Sequence, residues 1–196
     1  MHIVACLLGL GFWQLGQCEP PAAKAWVAQD IMQRTWERAP AGAGNSPQWP
    51  WNHTWPVARL SARSGEIDLI VLSGGGNRTL EFGPGHLSAS AKPGEAGNSV
   101  ITGNRDTHFN FLKDLAIGES LTIETIDGSL HVYTIVNLDV VDARRASLAL
   151  DTTGALLSLV TEYPFAGRRD ESPRMRYIVT AKKLLADGQP RGWPQR

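Results

Sequence analysis

No cysteine occurs after residue 18: the chain has two in 196 residues, Cys6 and Cys18. A disulfide framework, a cysteine-ligated zinc site and a thiolate nucleophile are thereby excluded from everything downstream. Charge of neither sign dominates, with 19 basic and 19 acidic residues and no basic run, which excludes nucleic acid as a partner. No apolar stretch reaches the ~20 residues that a membrane-spanning helix needs. The longest, Ile3–Leu15, has the length of a signal-peptide core or a clipped anchor. No Lys or Arg precedes it and no Ala-x-Ala site follows, so the expectation is an uncleaved membrane anchor whose native start lies further upstream. His86, His108 and Glu162 follow no metal-ligand spacing, and neither metal nor cofactor is expected.

What is present is enough apolar content, 42%, for one good core with some length left over. The composition divides the chain into an anchor over 1–18, a helical spacer and linker over 19–56, a globular domain over 57–184 and a tail over 185–196. Ala25, Ala28, Met32 and Trp36 recur at helical spacing, and no Gly or Pro interrupts Ala22–Ala39, which predicts a helix. From Ala39 to Pro56, prolines and glycines alternate with Trp49, Trp51 and Trp55, marking a linker whose tryptophans pack along the domain wall.

At Val57 the periodicity changes to that of strands. Val57–Leu60 and Ile67–Leu72 flank a turn at Ser64-Gly65. Ser73–Gly76 is glycine-rich but lacks the Lys-Ser/Thr ending of a phosphate loop, so it reads as a turn. Ser120–Ile126, the Asp127-Gly128 turn and Leu130–Val136 make the strongest hairpin signal. Val140-Val141, Leu148–Leu150, Leu156–Thr161 and Met175–Ala181 supply further strands. Many short strands, a brief helix near Phe109–Leu115 and no βαβ alternation predict an all-β antiparallel barrel.

Two segments carry the chemistry. Gly103-Asn104-Arg105-Asp106-Thr107-His108-Phe109 follows the apolar Ser99–Thr102, the pattern of polar residues at a strand end. Downstream lies Leu159-Val160-Thr161-Glu162-Tyr163-Pro164-Phe165. Both resemble the sortase family, above all its Gram-negative class, whose segments read Gly-His-Arg-Asp-Thr-His-Phe and Leu-Val-Thr-Cys-Tyr-Pro-Phe. Phe82–Leu87, Lys92–Glu95 and Trp55–Leu60 match that class too, and the resemblance covers roughly residues 5–184.

The resemblance implies an eight-stranded barrel with short helices and an N-terminal helical anchor in the inner membrane, its domain facing the periplasm. It also implies a sorting-signal peptide or a surface-protein carboxyl terminus as partner. Family members attack such peptides with a cysteine thiolate, a histidine acid and base, and an arginine. The matching positions are Glu162, Asn104 and Arg176, so only the arginine is kept, with Thr161, His108 and Asp106 as expected peptide-binding neighbours. Asn104 does not titrate near neutrality, and a carboxylate attacking an amide would make an anhydride with a poor leaving group. Loss of the nucleophile in a comparable triad costs on the order of a million-fold.

Ser99, Ser158 and Thr161 are hydroxyls without a histidine at a suggestive spacing, and Asp106 with Glu162 is a conceivable acid pair of unstated separation. His108 reads as a structural histidine of its loop. Glu162 beside Arg176 predicts an ion pair across the groove, with Asn104 as a neutral neighbour. The leading expectation is an inactive sortase homologue that keeps a peptide- or partner-binding groove. The alternatives are a hydrolase acting on LPXTG-like signals with Glu162 as general base, and a purely structural accessory domain.

Overall fold

The computed structural model describes residues 21–38, 54–166 and 174–184. The expected anchor, Trp49, Trp51, most of the Ala166–Pro173 connection and the tail from residue 185 lie outside the described residues. Eight strands close a barrel: β1 (Pro56–Ala62), β2 (Ile67–Ser73), β3 (Gly85–His86), β4 (Gly97–Thr102), β5 (Ser120–Thr125), β6 (Leu130–Asp142), β7 (Ala155–Glu162) and β8 (Met175–Lys183). Around the barrel they run β1-β2-β3-β4-β7-β8-β6-β5 and back to β1. Closure removes the unpaired sheet edges that would template aggregation.

Strand alternation decides which residues fill the barrel. On β1, Ala58, Leu60 and Ala62 point inward and are buried, with half-buried residues between them. They meet Leu69 and Val71 of β2, Leu121 and Ile123 of β5, Tyr133 and Ile135 of β6, Leu157 and Leu159 of β7, and Val179 and Ala181 of β8 in one core. Each such side chain contributes about 1.5–3 kcal/mol by leaving water. The tyrosine's buried hydroxyl accepts a bond from the Gly94 amide at 2.9 Å, which ties the Lys92–Glu95 turn to the core.

Two pairings depart from the expected antiparallel scheme: β2 with β3 and β4 with β7 are parallel. Leu148–Leu150, expected as a strand, is irregular. Its carbonyls are used by Asn98 at the start of β4, whose Nδ2 donates to Ala149 at 3.0 Å and whose amide donates to Leu150 at 2.8 Å. Val140-Val141 is the far part of the long β6 rather than a separate strand, and Phe109–Leu115 is a short 3-10 helix at Asn110–Asp114. A one-turn helix, α2 (Asn77–Leu80), follows the glycine run and was not anticipated.

The predicted first helix is α1 (Pro21–Arg38), and it lies against the barrel. Ala28 and Met32 bury against Ile70 and Leu72, the residues of β2 that point out of the barrel. Gln29 locks the contact: its Nε2 donates to the carbonyls of Ile70 (3.2 Å) and Phe82 (3.0 Å), and its Oε1 accepts from the Ile70 amide at 2.8 Å. An amide buried this way is costly to strip of partners, about 1–3 kcal/mol for each group left unmade. Trp55 is exposed, contrary to the expectation that it packs on the wall.

Candidate functional site

The two chemistry-bearing segments meet because β4 and β7 are parallel neighbours that end together. Thr102 is the register partner of Val160, and the Gly103 amide donates to the Val160 carbonyl at 3.1 Å. Beyond this point β4 becomes the loop of Asn104–Phe109, and β7 reaches Glu162. On β8, Arg176 is the direct partner of Glu162, and Tyr177 that of Thr161. Leu157, Leu159 and Thr161 alternate inward, so Glu162 and Arg176 share the outward face. Asn104 enters the same corner from the end of β4.

Asn104 is half-buried and its side chain works for its own loop. Its Oδ1 accepts the Asp106 amide at 2.8 Å, an Asx turn, and its carbonyl accepts the Phe109 amide at 3.0 Å. Gly103 is needed here, because a Cβ would stand 2.5 Å from the ring of Phe109, which is buried beneath the loop. Glu162 is exposed, and Arg176 is half-buried with its Nη1 donating to the Met175 carbonyl at 2.9 Å. The expected ion pair does not form: among the described residues, no salt bridge joins Glu162 to Arg176.

The other expected site residues divide by burial. Thr161 is 2% exposed and its hydroxyl donates to the Gly103 carbonyl at 2.8 Å, which places it under the corner as a strut. His108 is 4% exposed, with Nδ1 3.2 Å from the Thr107 hydroxyl. Burial pushes its pKa down to about 4, and the nearby main chain of Ala25 and Phe82 offsets this only partly. Its Nε2 is buried and makes no hydrogen bond of good geometry among the described residues. His108 is thus a buried, neutral histidine of its loop rather than an exposed contact for a peptide. Asp106, by contrast, is exposed, and its Oδ1 accepts from Arg105 Nε at 2.9 Å.

Arg105 was missed, although it stands inside the recognised segment. Its side chain is 4% exposed, its Nε donates to Asp106 Oδ1 at 2.9 Å, and its Nη1 donates to the Pro164 carbonyl at 2.6 Å. One guanidinium thus ties the loop after β4 to the turn after β7. Also missed was an aromatic group at the same end: Tyr177 stacks on Tyr163 at 6.5 Å and meets Phe165 edge-on at 5.1 Å. Burial pushes the Tyr177 hydroxyl pKa up, with Tyr163 adding to it.

No substitute nucleophile is assembled among the described residues. Ser158 is fully buried and donates to Asn98 Oδ1 at 2.9 Å, and Ser99 Oγ is buried without a partner. His86 bonds the Ala91 carbonyl at 2.9 Å and lines a cavity of about 660 Å³ with Lys92, Asp127 and His131, away from Asn104, Glu162 and Arg176. The described residues contain no group of three or more His, Cys, Asp or Glu placed to hold a metal ion.

The sortase domain family matches residues 60–184, well over half of the chain. The chain belongs to the sortase family. Sortase D of Bacillus subtilis (strain 168) is 33% identical over 118 residues, 60% of this chain and 58% of that protein. The matched stretch therefore spans little more than half of that relative. Sortase A from Corynebacterium diphtheriae superposes with a TM-score of 0.60 at 26% identity, covering 69% of this chain and 63% of that one. A Clostridium perfringens Sortase D5 transpeptidase superposes with a TM-score of 0.63 over 83% of this chain and 99% of that one. At 19% identity, this last likeness concerns the fold alone.

Proposed function

We propose that this sortase-family chain is an inactive member of the Gram-negative class, retaining a groove that binds a sorting-signal-type peptide or a surface-protein carboxyl terminus. The observation that carries the reading is the corner where β4 and β7 end and β8 begins. Glu162 and Arg176 face outward there as partners, in segments where the resemblance expects a cysteine and an arginine. Asn104, at the expected histidine, holds an Asx turn with its side-chain Oδ1 and has no proton to shuttle. Acyl transfer by the family's route needs a thiolate and a proton carrier, and neither residue supplies one.

The reading is supported by a mixed surface at this corner: half-buried Arg176, exposed Asp106 and the exposed Tyr163 lie beside the end of β7 and the start of β8. Ile3–Leu15 acts as the membrane anchor in this reading, with the barrel facing the periplasm. The test is fluorescence anisotropy of a dye-labelled sorting-signal-type peptide titrated with the full chain. Saturable binding, weakened at least tenfold by Arg176→Ala, is expected. No saturation at any soluble protein concentration would leave only a structural domain.

A further inference from the structure

The cavity of about 660 Å³ at the other end of the barrel has no part in the proposed function. The length of β8 separates the two places. Arg176 lies near its start, at the corner, and Lys183 at its end pairs with Tyr133, two residues along β6 from His131 of the cavity wall. The volume falls within the roughly 300–1,000 Å³ of small-ligand pockets. Its wall is held in place from outside. The Gly94 amide donates to the Tyr133 hydroxyl at 2.9 Å, and its carbonyl accepts Lys183 Nζ at 2.8 Å. A Cβ at Gly94 would stand 2.3 Å from His131 Nε2, so glycine lets the ring close against the turn. His86 is 6% exposed, and its Nε2 lies 2.9 Å from the Ala91 carbonyl, which sets the proton on Nε2. Nδ1 is then an acceptor, and it makes no hydrogen bond among the described residues.

Charges of both signs stand on this wall. Asp127 is held ionised by hydrogen bonds from Thr125 and Ser129. Lys92 and Glu95 are exposed at the rim, and no salt bridge joins them. Burial and then Lys183 lower the pKa of His131 while Asp127 opposes them, so charge of each sign acts on one lining ring. We infer that the cavity binds a short peptide with both termini free, its ammonium on Asp127, a main-chain N–H on His86 Nδ1 and its carboxylate on Lys92. A bare anion would meet Asp127 and Glu95 uncompensated, and a bare amine would meet Lys92 and Lys183. A zwitterion satisfies both. Val57, Pro93 and Ile126 supply the apolar surface for its side chains.

The test titrates the isotope-labelled full chain in detergent micelles with three probes that share one apolar body: leucyl-leucine, its N-acetyl form and its carboxyl amide. Amide resonances of Gly94 and His131 should shift saturably while those of Asn104–Phe109 stay in place. Leucyl-leucine should bind roughly tenfold more tightly than either blocked form, the effect of one charge-assisted contact. Lys92→Gln, an exposed change that folding should survive, should weaken leucyl-leucine by roughly the same factor and leave the carboxyl amide unaffected. Either blocked form binding as tightly as the free dipeptide would overturn the inference, and so would a failure of all three to saturate. Shifts at Asn104–Phe109 in place of Gly94 would overturn it in favour of the corner where Glu162 lies, so the two sites fail separately.

Discussion

Glu162 and Arg176 stand directly opposite one another in the β7–β8 ladder, yet the guanidinium Nη1 donates to the main-chain oxygen of Met175 and no salt bridge joins the two. Their alignment is a property of strand register, not of mutual attraction. Glu162→Gln is therefore expected to change stability by no more than about 0.5 kcal/mol, the scatter of ordinary surface substitutions. Urea denaturation of the two proteins checks this. A loss of several kcal/mol would mean that the carboxylate holds the corner together.

Arg105 is expected to matter far more. Arg105→Met keeps the stem but deletes the bonds to Asp106 and to the Pro164 carbonyl, which lie on the two segments of the site. Charge-assisted bonds of this kind contribute about 1.5–3 kcal/mol each, so a loss of about 3 kcal/mol is expected. Hydrogen exchange should quicken at Asn104–Phe109 before it does in β1 or β5. Unchanged stability would show that the bridge is incidental.

His108 gives the pH dependence a sign. Its pKa in the folded protein is about 4 against an ordinary 6.5, so between these values the unfolded chain binds more protons than the folded one. Stability contributed by the neutral ring is whole above pH 6.5 and falls as pH drops toward 4. The difference amounts to about 3 kcal/mol between pH 7 and pH 4. Carboxylates titrate in the same range, so the informative quantity is the wild type minus His108→Gln, measured by denaturation at each pH. A difference that does not change with pH would contradict the buried neutral ring.

The chain's own residues explain what was legible. Period-2 alternation in Pro56–Ala62 and the Asp-Gly turn at Asp127 are local signals, and both appear where expected. Parallel pairing of β4 with β7 is not local: it depends on an intervening stretch that leaves and re-enters the sheet. Leu148–Leu150 failed as a strand because Asn98, some fifty positions earlier, takes its carbonyls. At the site, the segments bearing Asn104 and Glu162 were recognisable from their residue order. The role of Arg105 was not, since it rests on the Pro164 carbonyl that only the fold brings near. The expected ion pair is absent even though strand register sets Glu162 and Arg176 opposite one another.

Placing at Asn104 and Glu162 the residues that the proposed reading expects there should give some chemistry. Asn104→His with Glu162→Cys places a thiol opposite Arg176, and both the guanidinium and an imidazolium favour the thiolate. The new thiol should titrate below the ~8.5 of an unperturbed cysteine and react faster with a thiol reagent at pH 7. Peptide cleavage should be weak, because the histidine forfeits the Asx turn that Asn104 makes with Asp106. Folding should survive at a cost of about 1 kcal/mol. A folded double variant whose thiol reacts no faster than a simple thiol would show that the corner is not a sortase groove.

The central claim is tested most directly by mass spectrometry of a sorting-signal-type peptide incubated with the full wild-type chain. The inactive-sortase reading predicts intact peptide after prolonged incubation, with or without an amine acceptor. Cleavage or transfer products that vanish in Glu162→Gln would contradict it and make Glu162 the general base of a working hydrolase.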